Sequence, residues 1–191
     1  MIRKFEEDIE NALRILRGGG VILYPTDTVW GLGCDATNGD AVKKIFKIKS
    51  RQEEKSLIIL VNGEEMLGRY VKDVPEIVYE IIHINDKPLT VVYPRGRNLA
   101  DDVCSKDGSV AVRICNDEFC NELITRFRKP IVSTSANISG KPTPSNFSEI
   151  GEDIRNAVDY IVKFRQDETE RNTSSPVIRF FPDGTFKILR K

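Results

Sequence analysis

Metal and nucleophile chemistry has little to draw on in this chain. Its 191 residues include one histidine, His83, and four cysteines, Cys34, Cys104, Cys115 and Cys120, with no Cys-x-x-Cys pair. A zinc site is therefore poorly supplied, no metal site is expected, and no Ser/His/Asp or Cys/His arrangement can be assembled from one imidazole. The thiols read as buried and free. Neither charge predominates: Lys+Arg 29 stand against Asp+Glu 29, so no overall positive field draws the chain onto nucleic acid, and any RNA contact needs a local patch. No apolar run approaches the ~20 residues of a membrane span, and Met1-Ile2-Arg3-Lys4-Phe5-Glu6 holds no apolar signal core. A cytoplasmic protein with no membrane partner is expected. Neither a Walker A loop nor Gly-x-Gly-x-x-Gly occurs, so neither standard nucleotide fingerprint applies.

The apolar pattern that is present describes one α/β domain over residues 1–191, built on a mixed sheet. Phe5, Ile9, Ala12, Leu13 and Leu16 recur at helical spacing before Gly18, and residues 21–24 follow as a strand stopped by Pro25. Asn38 or Asp40 caps a second helix, with Ala41, Val42, Ile45, Phe46 and Ile48 inward and Lys43, Lys44 and Lys47 in water. Residues 56–61 read as a strand buried on both faces. Val74, Ile77, Val78, Ile81 and Ile82 form an apolar helical stripe with Asp73 as its cap and Pro75 in its first turn. Residues 89–93, 110–114, 130–133 and 160–163 are further strands. A helix carries Phe119, Leu123, Ile124 and Phe127, and a short one surrounds Ile150, Ile154 and Ala157. Residues 177–181 and 185–189 close the chain as a hairpin about Pro182-Asp183-Gly184, and residues 167–173 read as a mobile surface loop.

Several strands end in hydroxyls or cations, and ligands of α/β folds gather at strand ends. Thr26-Asp27-Thr28 follows the first strand, Ser133-Thr134-Ser135-Ala136-Asn137 follows another, and Lys49 and Arg51 leave the second helix. Each has a plainer reading, as an Asx turn, a capped turn or cations favoured by a helix C-terminus. Arg113 is harder to explain away, because a guanidinium inside an apolar strand needs an anionic partner. Trp30 reads equally as core or as a pocket wall, and His83 as a surface residue. The inventory offers donors and cations with no good general base. It suits chemistry done by aligning anionic reactants and neutralising phosphate charge.

Taken in order, five segments resemble the YrdC-like threonylcarbamoyl-AMP synthase family. Pro25-Thr26-Asp27-Thr28-Val29-Trp30-Gly31-Leu32-Gly33 is similar to its PT(D/E)TVYGLG signature and Lys49-Ser50-Arg51 to its KxR motif. Pro88-Leu89-Thr90, Val110-Ala111-Val112-Arg113 and Ser135-Ala136-Asn137-Ile138-Ser139-Gly140 match its PLT, VAVR and SANxSG segments. The resemblance implies a twisted mixed β-sheet with flanking helices and a large concave ligand cavity. It implies an enzyme, a nucleotidyltransferase that condenses L-threonine, bicarbonate and ATP into threonylcarbamoyl-AMP and pyrophosphate for the modification of tRNA position 37. Mg2+ is the expected companion of ATP. Carried over by motif, Thr28, Arg113, Ser133 and Ser175 would hold threonine. Lys49 and Arg51 would be catalytic, and with Lys55, Ser109, Ser135, Asn137, Thr143 and Arg190 would contact ATP. The implied partners are tRNA or double-stranded RNA and the downstream threonylcarbamoyl transferase machinery. The sequence departs from the family at Gln52, where proline is common, at Pro176, which replaces a hydroxyl-bearing residue, and at Arg179, which replaces an acid. A short form of the family, without the extra C-terminal domain of the longer members, is expected. The competing reading is a YrdC-like RNA-binding module without threonine-dependent synthase activity.

Overall fold

The computed structural model describes residues 4–50, 57–84 and 87–191. Helix α1 (Glu6–Arg17) buries Ile9, Ala12, Leu13 and Leu16 and delivers the chain to strand β1 (Ile22–Tyr24), which starts one residue later than the apolar run predicts. The Gly31–Gly33 segment then forms β2, antiparallel to β1, where the sequence reading has only a loop. Its glycines are required by neighbours rather than by backbone angles. A Cβ on Gly33 would stand 2.6 Å from the Tyr24 ring, and one on Gly31 would stand 3.1 Å from Ser133 Oγ.

Helix α2 (Gly39–Ile48) is capped by Asn38, whose side-chain oxygen accepts from the amides of Asp40 and Ala41. Strand β3 (Ile58–Val61) is followed by α3 (Glu64–Tyr70), a short helix for which the sequence reading has no element. Helix α4 (Glu76–Ile84) keeps most of the expected stripe, with Val78 buried and Val74, Ile81 and Ile82 partly buried against the core, but Ile77 faces solvent and Asp73 does not cap the helix, lying upstream in a left-handed conformation at φ 56°. Then come β4 (Thr90–Tyr93), β5 (Val110–Ile114), α5 (Glu118–Phe127) and β6 (Ile131–Ser135). Helix α6 (Glu152–Arg155), β7 (Tyr160–Ile161), β8 (Val177–Phe180) and β9 (Phe186–Arg190) complete the described elements. Among the described residues no helix is long and apolar enough to cross a membrane.

One nine-stranded sheet in the order β7-β1-β2-β6-β3-β5-β4-β8-β9 organises the chain. It is mixed: β1 with β7, β3 with β5 and β4 with β8 pair parallel, and the remaining neighbours pair antiparallel. Strand alternation sends Val91, Tyr93, Val112 and Ile114 to the face covered by Ile82 of α4. The opposite face carries Thr90, Ala111, Arg113 and Ser133. The pairing sets Leu60, Arg113, Thr90, Val177 and Arg190 on one rung across β3, β5, β4, β8 and β9. β9 ends the sheet, with Phe186, Ile188 and Leu189 about half exposed. Cys34, Cys115 and Cys120 are buried free thiols, as expected, whereas Cys104 is free but only partly buried.

Candidate functional site

The turn between β1 and β2 is organised by Thr26. Its hydroxyl donates to the Val29 carbonyl at 2.9 Å, accepts from the Thr28 amide at 3.1 Å and meets the Thr28 hydroxyl at 3.0 Å. This is the hydroxyl-capped turn of the plain sequence reading, but it also faces Arg113. Arg113 is buried, lies near the end of β5 and has no ideal partner. Its Nη2 donates to Thr26 Oγ1 at 3.3 Å and its Nη1 to Ser175 Oγ at 3.4 Å, both long contacts. Nη2 lies 3.0 Å from Asp27 Oδ1, an ion pair whose alignment does not make a hydrogen bond. Arg113 Nε and both Asp27 oxygens are therefore buried without a hydrogen-bond partner. Such groups are costly to leave unmet, and their clustering makes this the most polar point of the buried interior near the β1–β2 turn.

Around Arg113 opens a cavity of about 190 Å³ lined by Thr28, Arg113, Ser133, Ser135, Ser175 and Arg190, with Gly31 and Ile58 in its wall. Six residues predicted from separate parts of the sequence thus meet in one space. Arg190 donates through Nε and Nη2 to the Ser175 carbonyl at 3.0 and 2.7 Å, which ties β9 to the segment entering β8. Burial, reinforced by repulsion from Arg113, holds its pKa below that of a free guanidinium. Two cations, Arg113 and Arg190, thus share the cavity with a rim of hydroxyls. A second cavity of about 230 Å³ shares Thr28, Ser174 and Ser175 with the first and adds Asp27, Lys87 and Arg171.

The SANxSG turn closes one side. Lys49, the residue that ends α2, is buried and donates its ammonium to the carbonyls of Ser135 at 2.5 Å and Asn137 at 2.7 Å, and more distantly to Asn137 Oδ1 at 3.4 Å. The Lys49 carbonyl in turn accepts from the Ser139 amide at 2.9 Å, and Ser135 Oγ donates to Asn137 Oδ1 at 2.5 Å. The lysine predicted as catalytic therefore stands behind the turn and holds it.

Other predicted residues are not brought into the cavity wall. Ser109 is buried at the start of β5, four residues from Arg113, and donates its hydroxyl to Asp107 at 2.6 Å. Those bonds and the Arg179 guanidinium hold the Asp107 carboxyl down to about 2. Arg179, the departure from the family's acid, is thus taken up by Asp107 at 2.5 Å. Thr143 is exposed beyond the turn. Arg51 and Lys55, together with Gln52, lie outside the described residues. Trp30 is core, buried with its ring 4.8 Å from that of Phe147, and His83 is an exposed partner of Glu64.

The sequence reading assigned no role to Thr90. It is buried on β4 beside Arg113 in the sheet, with its hydroxyl 2.8 Å from Ser175 Oγ and its amide donating to the Pro176 carbonyl at 3.0 Å. Its place in the PLT motif was the available signal. Pro176 does not displace Ser175, because this sheet contact uses the proline's carbonyl and not the missing N–H.

A mixed, twisted sheet carrying the buried Arg113 and a set of hydroxyls on one face defines an α/β protein with a polar, cation-bearing cavity. The family model for Sua5, YciO and YrdC, described as telomere recombination, matches residues 14–191. The chain belongs to that family. A threonylcarbamoyl-AMP synthase of Vibrio parahaemolyticus is 31% identical over 188 residues, covering 97% of this chain and 99% of the relative. The structure of Pyrococcus abyssi Sua5 complexed with L-threonine superposes with a TM-score of 0.86 at 31% identity, covering 99% of this chain. This chain spans 55% of that longer one. Escherichia coli YciO, at 23% identity and a TM-score of 0.83 over 97% of this chain and 89% of its own, shares the fold.

Proposed function

We propose that this chain is a threonylcarbamoyl-AMP synthase, condensing L-threonine, bicarbonate and ATP. The observation that carries the reading is the incompletely bonded Arg113 at the centre of a ring of hydroxyls. A carboxylate reaching Nε and an Nη would replace long contacts with a bidentate pair. Thr28, Ser133 and Ser175 stand where the remaining polar groups of threonine would be met. The synthase names borne by relatives that match across nearly their whole length favour this reading over an RNA-binding module.

The chemistry needs no covalent enzyme nucleophile. The amine of threonine takes up bicarbonate with loss of water to give a carbamate, and a carbamate oxygen attacks the α-phosphorus of ATP as pyrophosphate leaves. Ser135, Asn137 and Arg190 would face the nucleotide, joined by Arg51 and Lys55, while Lys49 positions the turn that presents Ser135. ATP would enter as its magnesium complex, with the phosphates as ligands to the ion. The product would pass to a tRNA threonylcarbamoyl transferase in the cytoplasm.

The deciding experiment is pyrophosphate release from ATP with bicarbonate and Mg2+, with and without L-threonine, using serine as the comparison. Threonine-dependent release is expected. A folded protein that binds ATP and releases no pyrophosphate with threonine would defeat the proposal.

A further inference from the structure

Among the described residues lining the two adjoining cavities, the charged side chains are Arg113, Arg190, Lys87, Arg171 and Asp27. Four are cations, of which Arg171 also lies 3.6 Å from Glu149 and Arg190 donates to the Ser175 carbonyl, so the basin as a whole favours small carboxylates. The single acid sits 3.0 Å from the guanidinium best placed to receive one, with its side chain only 11% exposed and both oxygens without a hydrogen bond. The buried Arg113 guanidinium needs an anion beside it, and Asp27 supplies one without making a hydrogen bond. Asp27 caps no helix, and the turn around it is held by the Thr26 hydroxyl.

We propose that Asp27 is a specificity-determining residue that restricts the Arg113 site to zwitterions, admitting α-amino acids and rejecting the corresponding hydroxy acids. This deepens the reading of the cavity as a threonine site and rests on it. A simple carboxylate bound to Arg113 brings a second negative charge beside Asp27, with no compensation. An α-amino acid carries its ammonium two bonds from its carboxyl carbon, so the two charges of the ligand can lie opposite those of the Arg113–Asp27 pair. The argument is one of charge and holds without direct contact between Asp27 and ligand. At an effective dielectric constant of about 20, a like charge within about 5 Å is worth on the order of 100-fold in affinity. Discrimination comes as much from repelling the wrong ligand as from attracting the right one.

The test is calorimetric titration of the full chain with L-threonine and with (R)-3-hydroxybutanoate, the same molecule without its amine. Wild-type protein should prefer threonine by about 100-fold. Asp27→Asn, which keeps the shape and removes the charge, should collapse that preference to within about tenfold, by weaker threonine binding and tighter hydroxy-acid binding. Asp27→Glu, which keeps the charge, should restore most of it. A merely structural Asp27 would lower both affinities alike in Asp27→Asn, and that result overturns the inference. If Asp27→Asn does not fold, the wild-type ratio decides: hydroxybutanoate bound within threefold of threonine overturns it as well. Wild-type protein that binds ATP but neither ligand would instead overturn the synthase reading beneath it.

Discussion

Replacing Lys49 by methionine separates a residue that touches substrate from one that builds the site. The substitution keeps most of the aliphatic stem and removes a buried ammonium from the carbonyls of Ser135 and Asn137. Hydrogen bonds to a charged group contribute roughly 1.5–3 kcal/mol each, and the carbonyls left behind become buried acceptors without that donor. Counting only the two short bonds, with partial relaxation of the turn, the loss should be about 3 kcal/mol. For a chain of this length each kcal/mol moves the thermal midpoint by about 2–4 °C, so Lys49→Met should melt about 6–12 °C lower. Threonine-dependent pyrophosphate release should fall with it, because Ser135 and Asn137 are no longer fixed. The assay is thermal unfolding by circular dichroism beside pyrophosphate release at a temperature where both proteins are folded. An unchanged midpoint with activity abolished would refute the reasoning, and would mean that the ammonium serves the nucleotide.

Arg113→Lys keeps the charge and loses the planar fork, so KM for threonine should rise about 100-fold with little change in the melting midpoint; an unchanged KM would remove Arg113 from the carboxylate site. Gly33→Ala forces a methyl to 2.6 Å from the Tyr24 ring and 3.0 Å from Ile131 Cγ2, and should cost about 2–3 kcal/mol in urea denaturation. Asp107 has a native pKa of about 2 against an ordinary 3.8. A depressed carboxylate contributes stability that is present above its unfolded value and lost as pH falls through its folded one. Protection of the Ser109 amide from hydrogen exchange should therefore drop between about pH 4 and pH 2, and Asp107→Asn should remove that dependence.

The strands legible in the sequence are those with continuous runs of β-formers, whether buried like 110–114 or exposed like the closing hairpin, where turn residues mark the ends. β2 was not legible, because Gly31 and Gly33 have no intrinsic preference for a strand, and β1 and β6 impose the conformation by pairing. The α4 stripe was legible from its helical period, but a period cannot tell that Ile77 would lie at the uncovered margin of that face. In the site, Arg113 stood out because a cation interrupts an apolar run. Thr90 was hidden for the opposite reason, since a β-branched residue in a strand looks like ordinary sheet. Ser109 carries a second engagement that its motif did not reveal, since its hydroxyl donates to an acid two residues upstream.

Arg190 is carried by β9, the outermost strand, paired on one side only. Edge strands open at lower free energy than the body of a sheet. One guanidinium of the cavity is thus mounted on the element first to fray, while Arg113 is mounted on an interior strand. Warming should disable the enzyme in two stages, with turnover declining as β9 detaches while the spectroscopic signature of the folded sheet is still intact. The temperature at which this protein stops working would then be a property of its last few residues rather than of its core.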